Sequence, residues 1–441
     1  MDTVAPKGRK HLSADALLRV VRKGFGRIPD HRPLAVSISL SDALMSGFAV
    51  FSLKSPSLLA FDEHRADENL GTLYGIEHVP CDTQMREILD PVSPEALRPV
   101  FKRVFAQLQR GKALEPFVFL EGCYLLALDG TGYFSSPTIH CASCLQKAQG
   151  KTGAITYYHQ MVGAALIHPD FREVIPLMPD PILKQDGTTK NDCERNAVKR
   201  LVAKLRQDHP HLKLIVTEDS LSANAPHIET LQAHQLHYIL GVKEGDHAFL
   251  FEHVGRAEQA GQVTWYEQED PSAEIVHRFR FVNQVPLNAS HPELLVNFLE
   301  YWEIRGDAVQ HFCWVTDLRV TKRTAYPLMR GGRARWKIEN ETFNTLKNQG
   351  YHFEHNYGHG QQNLSVVFAV LMMLAFLVDQ TQQLCCPLFR AVWAKLGSKR
   401  RLWEELRVMF AAYALASMRE LLEALFYGVQ KPRPCFALDS S

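Results

Sequence analysis

The sequence lacks the features that define several protein classes. Its 441 residues carry a formal net charge of only +1, which excludes a polycation that binds nucleic acid over its whole surface. The longest mostly apolar run, residues 364–378, has 15 residues, whereas a membrane-spanning helix needs about 20. Internal repeats and low-complexity tracts are also absent. These absences favour a globular protein of two or three domains without a membrane segment, in which 364–378 forms a buried core helix.

Cysteine is present but not in a pattern typical of secreted proteins. The nine cysteines are an odd number and no secretory signal precedes them, so we expect reduced thiols and a cytoplasmic protein. Cys141 and Cys144 have the spacing of half a zinc site, and a full site needs four ligands. Cys123 or His159 could complete the set in space, but a second Cys-x-x-Cys does not exist. The sequence therefore favours a reduced, partly buried pair in a loop.

Hydrophobic periodicity predicts a mixed α/β fold with helical ends. Helical spacing appears at 14–25, 39–59, 82–89 and 93–109, and again at 364–383, 388–396 and 402–426. Apolar runs predict strands at 123–128, 155–167, 173–178, 212–217 and 237–242, with helices at 188–206 and 224–234. Short alternating segments at 263–267, 275–282, 295–304 and 311–316 predict a β-rich insertion. This order of elements describes a mixed sheet with helices on its faces.

Two aspartates follow predicted buried strands. The run 123–128 stops at Asp129, which Gly130 follows, and Asp219 comes just after the run 212–217. A carboxylate at the end of a buried strand is costly unless it is paired or bound to a metal, and a neighbouring glycine lets a ligand approach the backbone. Each aspartate alone is weak evidence, because strand-end aspartates often cap turns. Asp192 and Glu194 are expected to serve the start of a helix.

A third carboxylate, Glu339, ends a basic segment. Residues 318–338 contain seven Lys or Arg and no Asp or Glu, a pattern that suits a polyanion brought to a metal. Trp336, Glu339 and Phe343 recur at helical spacing and predict one helical face. We expect Trp336 to pack in the core and aim Glu339, with base stacking as the alternative. An ordinary amphipathic helix with internal ion pairs would show a similar pattern.

These segments together resemble bacterial insertion-sequence transposases of the Asp-Asp-Glu type, in the group with a β-strand insertion before the glutamate. The resemblance rests on segments 128–131, 216–219, 335–339 and 346–347, and on the glycine- and histidine-rich tract 350–360. It implies a ribonuclease-H-like fold. Glycines in that tract favour a loop, so we expect its histidines, 352, 355 and 359, to bind phosphate or backbone rather than a metal.

The family pattern implies that Asp129, Asp219 and Glu339 are catalytic and bind Mg²⁺ (or Mn²⁺), with two ions in the site. Carboxylate oxygens suit these hard cations. A water would nick the transposon end, and the freed 3′-hydroxyl would attack a second phosphodiester in hairpin formation or strand transfer. The implied partner is double-stranded DNA, bound by a homodimer, with no membrane involved.

The resemblance also implies DNA contacts near the cut, and we expect them from the basic residues Arg333, Arg335, Lys337 and Lys347. Lys347 lies eight residues after Glu339, one more than the family usually has. A tyrosine that often precedes the arginine by three residues is replaced here by Gly332.

The spacing leaves Glu341 as an alternative third carboxylate. We prefer Glu339, because it follows Arg335 by one helical turn. Two other functions stay open: a catalytically inactive DNA-binding protein derived from a transposase, and a metal-dependent nuclease of the same fold.

The expected organisation has five parts. They are a helical, DNA-binding N-terminal region (1–115), the first part of the ribonuclease-H-like catalytic domain (116–245), the β-rich insertion (246–317), the catalytic helix and return to that domain (318–360), and a helical C-terminal region (361–441).

Overall fold

The computed structural model describes residues 11–33, 36–150, 153–184 and 193–429. Within them, a single eleven-stranded sheet forms the centre and helices cover it, so the predicted mixed α/β, ribonuclease-H-like fold class is confirmed. Asp192 and the first residues of the sequence lie outside the described ranges.

The N-terminal region is helical, as predicted. Its first helix begins after Ser13, whose hydroxyl accepts a hydrogen bond from the Ala16 backbone N–H and caps the helix. The helices of this region are α1 (Ala14–Phe25), α2 (Leu40–Ser52), α3 (Leu58–Asp62), α4 (Glu68–Tyr74), α5 (Asp82–Leu89) and α6 (Arg98–Arg110).

The first half of the sheet follows. Its elements are β1 (Tyr124–Ser136), β2 (Leu145–Ala148), β3 (Ile155–Ile167), β4 (Ile175–Pro176), β5 (Asp180–Ile182), α7 (Glu194–Asp208), β6 (Leu214–Glu218), α8 (Ala225–Ala233) and β7 (His237–Gly241). β1 pairs in parallel with β6 and antiparallel with β3, and β6 pairs in parallel with β7. β1 does not stop at Asp129 as predicted, because its pairing with β3 continues to Ser136.

The predicted insertion is β-rich, but it begins with a helix that the sequence reading missed. Its elements are α9 (Ala248–Gln259), β8 (Thr264–Asp270), β9 (Ile275–Asn288), β10 (His291–Arg305) and β11 (Ala308–Thr316). β11 pairs with β7, so these strands extend the central sheet in the order β2-β3-β1-β6-β7-β11-β10-β9-β8. α9 buries Leu250, Val254 and Ala257, a narrow apolar stripe with helical spacing.

After the sheet the chain returns to helices. They are α10 (Ala325–Arg333), a π-helical turn (Ile338–Phe343), α11 (Asn344–Asn348), α12 (Leu364–Cys385), α13 (Pro387–Leu396), α14 (Lys399–Ala412) and α15 (Met418–Tyr427). α12 is long and apolar enough to cross a membrane, but its apolar stretch is fully buried inside the protein. The prediction of a buried core helix at 364–378 is therefore confirmed.

The π-helical turn changes the phase of the helix that carries Glu339. The Asn344 backbone N–H donates to the Glu339 carbonyl oxygen, five residues back, so the turn holds one residue more than an α-helical turn. A spacing of eight residues across such a turn has nearly the phase of seven residues in a regular α-helix. The π-helical turn therefore offsets the extra residue between Glu339 and Lys347, and Lys347 keeps nearly the helical phase that a spacing of seven would give it.

Candidate active site

Asp129 and Asp219 lie at the same edge of two neighbouring parallel strands. The last registered pair of β1 and β6 is Ala127 with Thr217, and each aspartate comes two residues later. Parallel strands lie about 4.8 Å apart, so the two backbones run side by side at this edge. One oxygen of Asp219, Oδ1, accepts the Leu221 backbone N–H at 3.0 Å and caps the short helical turn that follows.

Glu339 reaches this edge through Arg335. The guanidinium Nη1 lies 3.3 Å from Asp129 Oδ2 and 3.0 Å from Glu339 Oε1. The same nitrogen therefore bridges the two carboxylates. The predicted one-turn relation between Arg335 and Glu339 thus places a cation between two acids.

A glycine on β3 seats the π-helical turn. Gly163 pairs with Asp129 across the strands, and a Cβ at Gly163 would lie 2.8 Å from the Phe343 ring. Because glycine leaves this space free, the ring packs directly on the sheet beside Asp129. This contact sets the distance between the helix that carries Glu339 and the strand that carries Asp129.

Glu194 is a fourth carboxylate at the site, which the sequence reading did not include. It stands in the first turn of α7, as expected, but its carboxylate also lies against Gly130, whose backbone N–H donates to Asp129 Oδ1 at 2.9 Å. A Cβ at Gly130 would lie only 2.4 Å from Glu194 Oε2, so the glycine lets this carboxylate lie close to the backbone. The signal in the sequence was the glycine directly after Asp129.

The acids at this edge raise one another's proton affinity. The pKa of Asp129 rises to about 7, chiefly because it is buried and then because Glu339 is its neighbour, while Arg335 opposes the shift. Burial and the charges of Asp219 and Glu218 raise the pKa of Glu194. One guanidinium therefore faces several carboxylates, an arrangement that suits a divalent cation with oxygen ligands.

A large cavity opens beside these residues. It has a volume of about 810 Å³ and lies between Asp219, Arg335 and Trp336 on one side and the insertion strands on the other. Arg333 also lines it, donates to Glu303, and donates to Gln310 Oε1 at 3.2 Å. The cavity is lined by both basic and acidic side chains, including Arg280 and Glu300 from the insertion.

The exposure of Trp336 contradicts one expectation from the sequence. It is 42% exposed, so the prediction that it packs in the core is wrong. The helical face on which that prediction rested changes phase in the π-helical turn. A neighbouring departure from the family pattern has a steric reason, because a Cβ at Gly332 would lie 2.4 Å from Trp314 Nε1 and the tyrosine would not fit.

Two of the basic residues that were predicted to contact DNA have partners within the protein. Lys337 is buried and its ammonium group donates to the Phe171 carbonyl, against the protein and not in the cavity. Lys347 Nζ lies 2.8 Å from Glu354 Oε1. The alternative acid Glu341 pairs with Arg172 at 3.1 Å, whereas Glu339 faces Asp129.

Comparison with known proteins agrees with this geometry. A search of curated proteins found no match to the chain. The family described as transposase DDE domain matches residues 138–377, more than half of the chain. This match includes Asp219 and Glu339 and begins nine residues after Asp129. The chain therefore belongs to the transposase DDE domain family.

Proposed function

We propose that this protein cleaves DNA at transposon ends and joins the freed 3′-hydroxyl to target DNA, with Asp129, Asp219 and Glu339 as ligands of two Mg²⁺ (or Mn²⁺) ions. The observation that carries the proposal is the cluster of acids at one sheet edge, where the pKa of Asp129 rises to about 7. Ions bound there would polarise the attacking hydroxyl group and stabilise the oxygen that leaves the phosphodiester.

The side chains around the acids divide the remaining tasks. Arg335 holds Asp129 and Glu339 in position through its two contacts, and its charge favours the approach of phosphate. Glu194 lies against Gly130 and adds negative charge beside the ligands. These residues form a preorganised site, because each is fixed by a partner on another element.

The cavity is the proposed path of the DNA. Arg333 and Arg335 supply positive charge along it, and Lys347 is proposed to contact a phosphate further along the strand. Trp336 is exposed beside Arg335, which supports base stacking, the alternative that the sequence left open. DNA binding by the helical N-terminal region and pairing of two ends by a homodimer complete the proposal.

The decisive test compares two glutamates that are two residues apart. Purified wild-type, Glu339→Gln and Glu341→Gln chains are given Mg²⁺, the flanking inverted repeats and a target duplex, and cleavage and joining are measured. We expect the first variant to lose activity by about a thousandfold or more, because it removes an ion ligand. The second should keep nearly wild-type activity, since Glu341 faces Arg172.

A pre-nicked end with a free 3′-hydroxyl separates the alternatives. A transposase joins this end to the target, a plain nuclease cuts without joining, and an inactive DNA-binding protein does neither. Loss of activity in Glu341→Gln with retention in Glu339→Gln would overturn the assignment of the third carboxylate.

A further inference from the structure

A second cluster of side chains with metal-ligand chemistry lies further along the same strands. Cys141 and Cys144 follow β1, His159 stands on β3, and His359 lies in the glycine-rich tract before α12. All four are buried, and their donor atoms lie within 4.8 Å of one another. His159 lies four residues along β3 from Gly163, the partner of Asp129, so the cluster is about 13 Å along the strand from the carboxylates.

The separations fit the edges of a tetrahedron around one ion. Cys144 Sγ lies 3.2 Å from His359 Nε2 and 3.4 Å from His159 Nε2, and Cys141 Sγ lies 3.5 Å from His159 Nε2. The two sulfur atoms are 3.9 Å apart, far too long for a disulfide. Zinc–ligand bonds of about 2.3 Å to sulfur and about 2.0 Å to nitrogen would place sulfur pairs about 3.8 Å apart and sulfur–nitrogen pairs about 3.6 Å apart.

We propose that Cys141, Cys144, His159 and His359 bind one structural Zn²⁺. From the sequence, Cys123 or His159 could complete the pair, but a reduced pair is favoured because a second Cys-x-x-Cys does not exist. That ligand is His359, which lies 215 residues after Cys144. Four protein ligands leave no open position, as in structural and not catalytic zinc sites.

The chemistry of the four donors suits one zinc ion. Two thiols and two imidazoles are buried together, and a metal ion would bind the sulfur and nitrogen atoms that they present to one another. The Nδ1 atoms of both histidines have no hydrogen-bond partner among the described residues, so the polar contacts of both rings are on the inner, Nε2 side.

The site would fasten the tract after the catalytic helix to the sheet. His359 is flanked by Gly358 and Gly360, whose φ angles of 157° and 67° bring the backbone into the cluster. Just beyond, Asp90 accepts the backbone N–H groups of residues 361–364. Zinc would link this tract to β3 and to the segment that follows β1, the strand that carries Asp129. This role does not depend on the proposed DNA chemistry.

Metal analysis of the full-length chain tests the proposal directly. After dialysis, the wild-type protein should contain about one zinc per chain. Cys144→Ser should lose about tenfold in zinc content at equal protein concentration, because three ligands hold zinc poorly. Cys123→Ser is the matched control, since Cys123 is a buried free thiol outside the cluster, and it should keep its zinc. Asp129→Asn should also keep zinc, which separates this site from the carboxylates.

A spectroscopic measurement on the wild-type chain covers the case in which Cys144→Ser does not fold. Replacement of zinc by Co²⁺ should give the intense visible bands of a tetrahedral ion and a thiolate-to-cobalt charge-transfer band. A zinc content near zero in the wild type, equal zinc in wild type and a folded Cys144→Ser, or an octahedral cobalt spectrum would each overturn the proposal.

Discussion

Asp379 and Asp129 are both poorly hydrated carboxylates, but the charged groups that surround them differ. Asp379 on α12 is paired with the ammonium group of Lys54 and accepts the Tyr351 hydroxyl at 2.5 Å. Burial raises the pKa of Asp379, and Lys54 opposes the shift. Asp129 has Arg335 nearby, but Glu339 and Glu194 add negative charge to the effect of burial.

The difference separates an acid that the protein itself satisfies from the acid proposed to bind a metal. At Asp379 one cation and one hydroxyl from the protein satisfy the carboxylate, so the cluster is complete without any other molecule. At Asp129 the acids outnumber the guanidinium, so negative charge is left over. Residual negative charge at a sheet edge beside a cavity is what a divalent cation can neutralise.

Breaking the complete cluster should have the largest effect on stability. Asp379→Asn leaves the fully buried Lys54 ammonium without its counter-charge, and we expect a loss of about 3–5 kcal/mol in the free energy of unfolding. Urea denaturation followed by circular dichroism measures it. The double variant Lys54→Met/Asp379→Leu is the control, because removing both charges should recover most of the loss. A single variant as stable as wild type would contradict the structural role of this pair.

Removing a charge from the acid cluster should instead increase the stability. The pKa of Asp129 is raised to about 7, so in the absence of metal the native state loses stability as pH rises from about 4 to 7. At pH 8 without divalent cations, Asp129→Asn should therefore be more stable than wild type by about 1–3 kcal/mol, a gain of several degrees in Tm. Thermal unfolding across this pH range measures the effect.

Added Mg²⁺ should affect the stability of wild type and of Asp129→Asn differently. It should raise the Tm of wild type at pH 8 and have little effect on Asp129→Asn, because the variant lacks a ligand. Asp307→Asn is the control, since Asp307 is an exposed acid in the turn between β10 and β11. An equal response of Asp129→Asn and wild type to Mg²⁺ would rule out Asp129 as a ligand.

Each region also holds a tryptophan beside a cation, and of all the variants considered Trp336→Ala has the smallest predicted effect. Trp403 is 3% exposed and lies over Lys54, whereas Trp336 is 42% exposed beside Arg335. Trp336→Ala should weaken binding of DNA by about 1–2 kcal/mol with little change in stability. Trp403→Ala should instead lower the stability by about 3–5 kcal/mol. Fluorescence anisotropy and urea denaturation measure the two effects, and unchanged DNA affinity in Trp336→Ala would exclude stacking.

Local patterns predicted the elements well where one face is buried continuously. The bounds of α1 and β3 match the predicted 14–25 and 155–167, because their apolar periodicity is decided within the segment. Glu194 and His359 could not be assigned in this way. Their positions depend on Gly130 and Cys144, which are distant in sequence, and no local pattern contains that information.

The π-helical turn also shows why the third motif was difficult to read. The sequence places Trp336, Glu339 and Phe343 on one face only if the helix is regular, and the structure interrupts it. The buried and exposed sides therefore change between Trp336 and Phe343.

That single extra residue bears on how relatives of this chain are recognised. A search pattern that counts a fixed number of positions from the glutamate to the lysine would reject this chain, although its backbone compensates for the count. Patterns that allow one additional position between Glu339 and Lys347 would find sequences in which a widened turn, and not a lost motif, accounts for the mismatch.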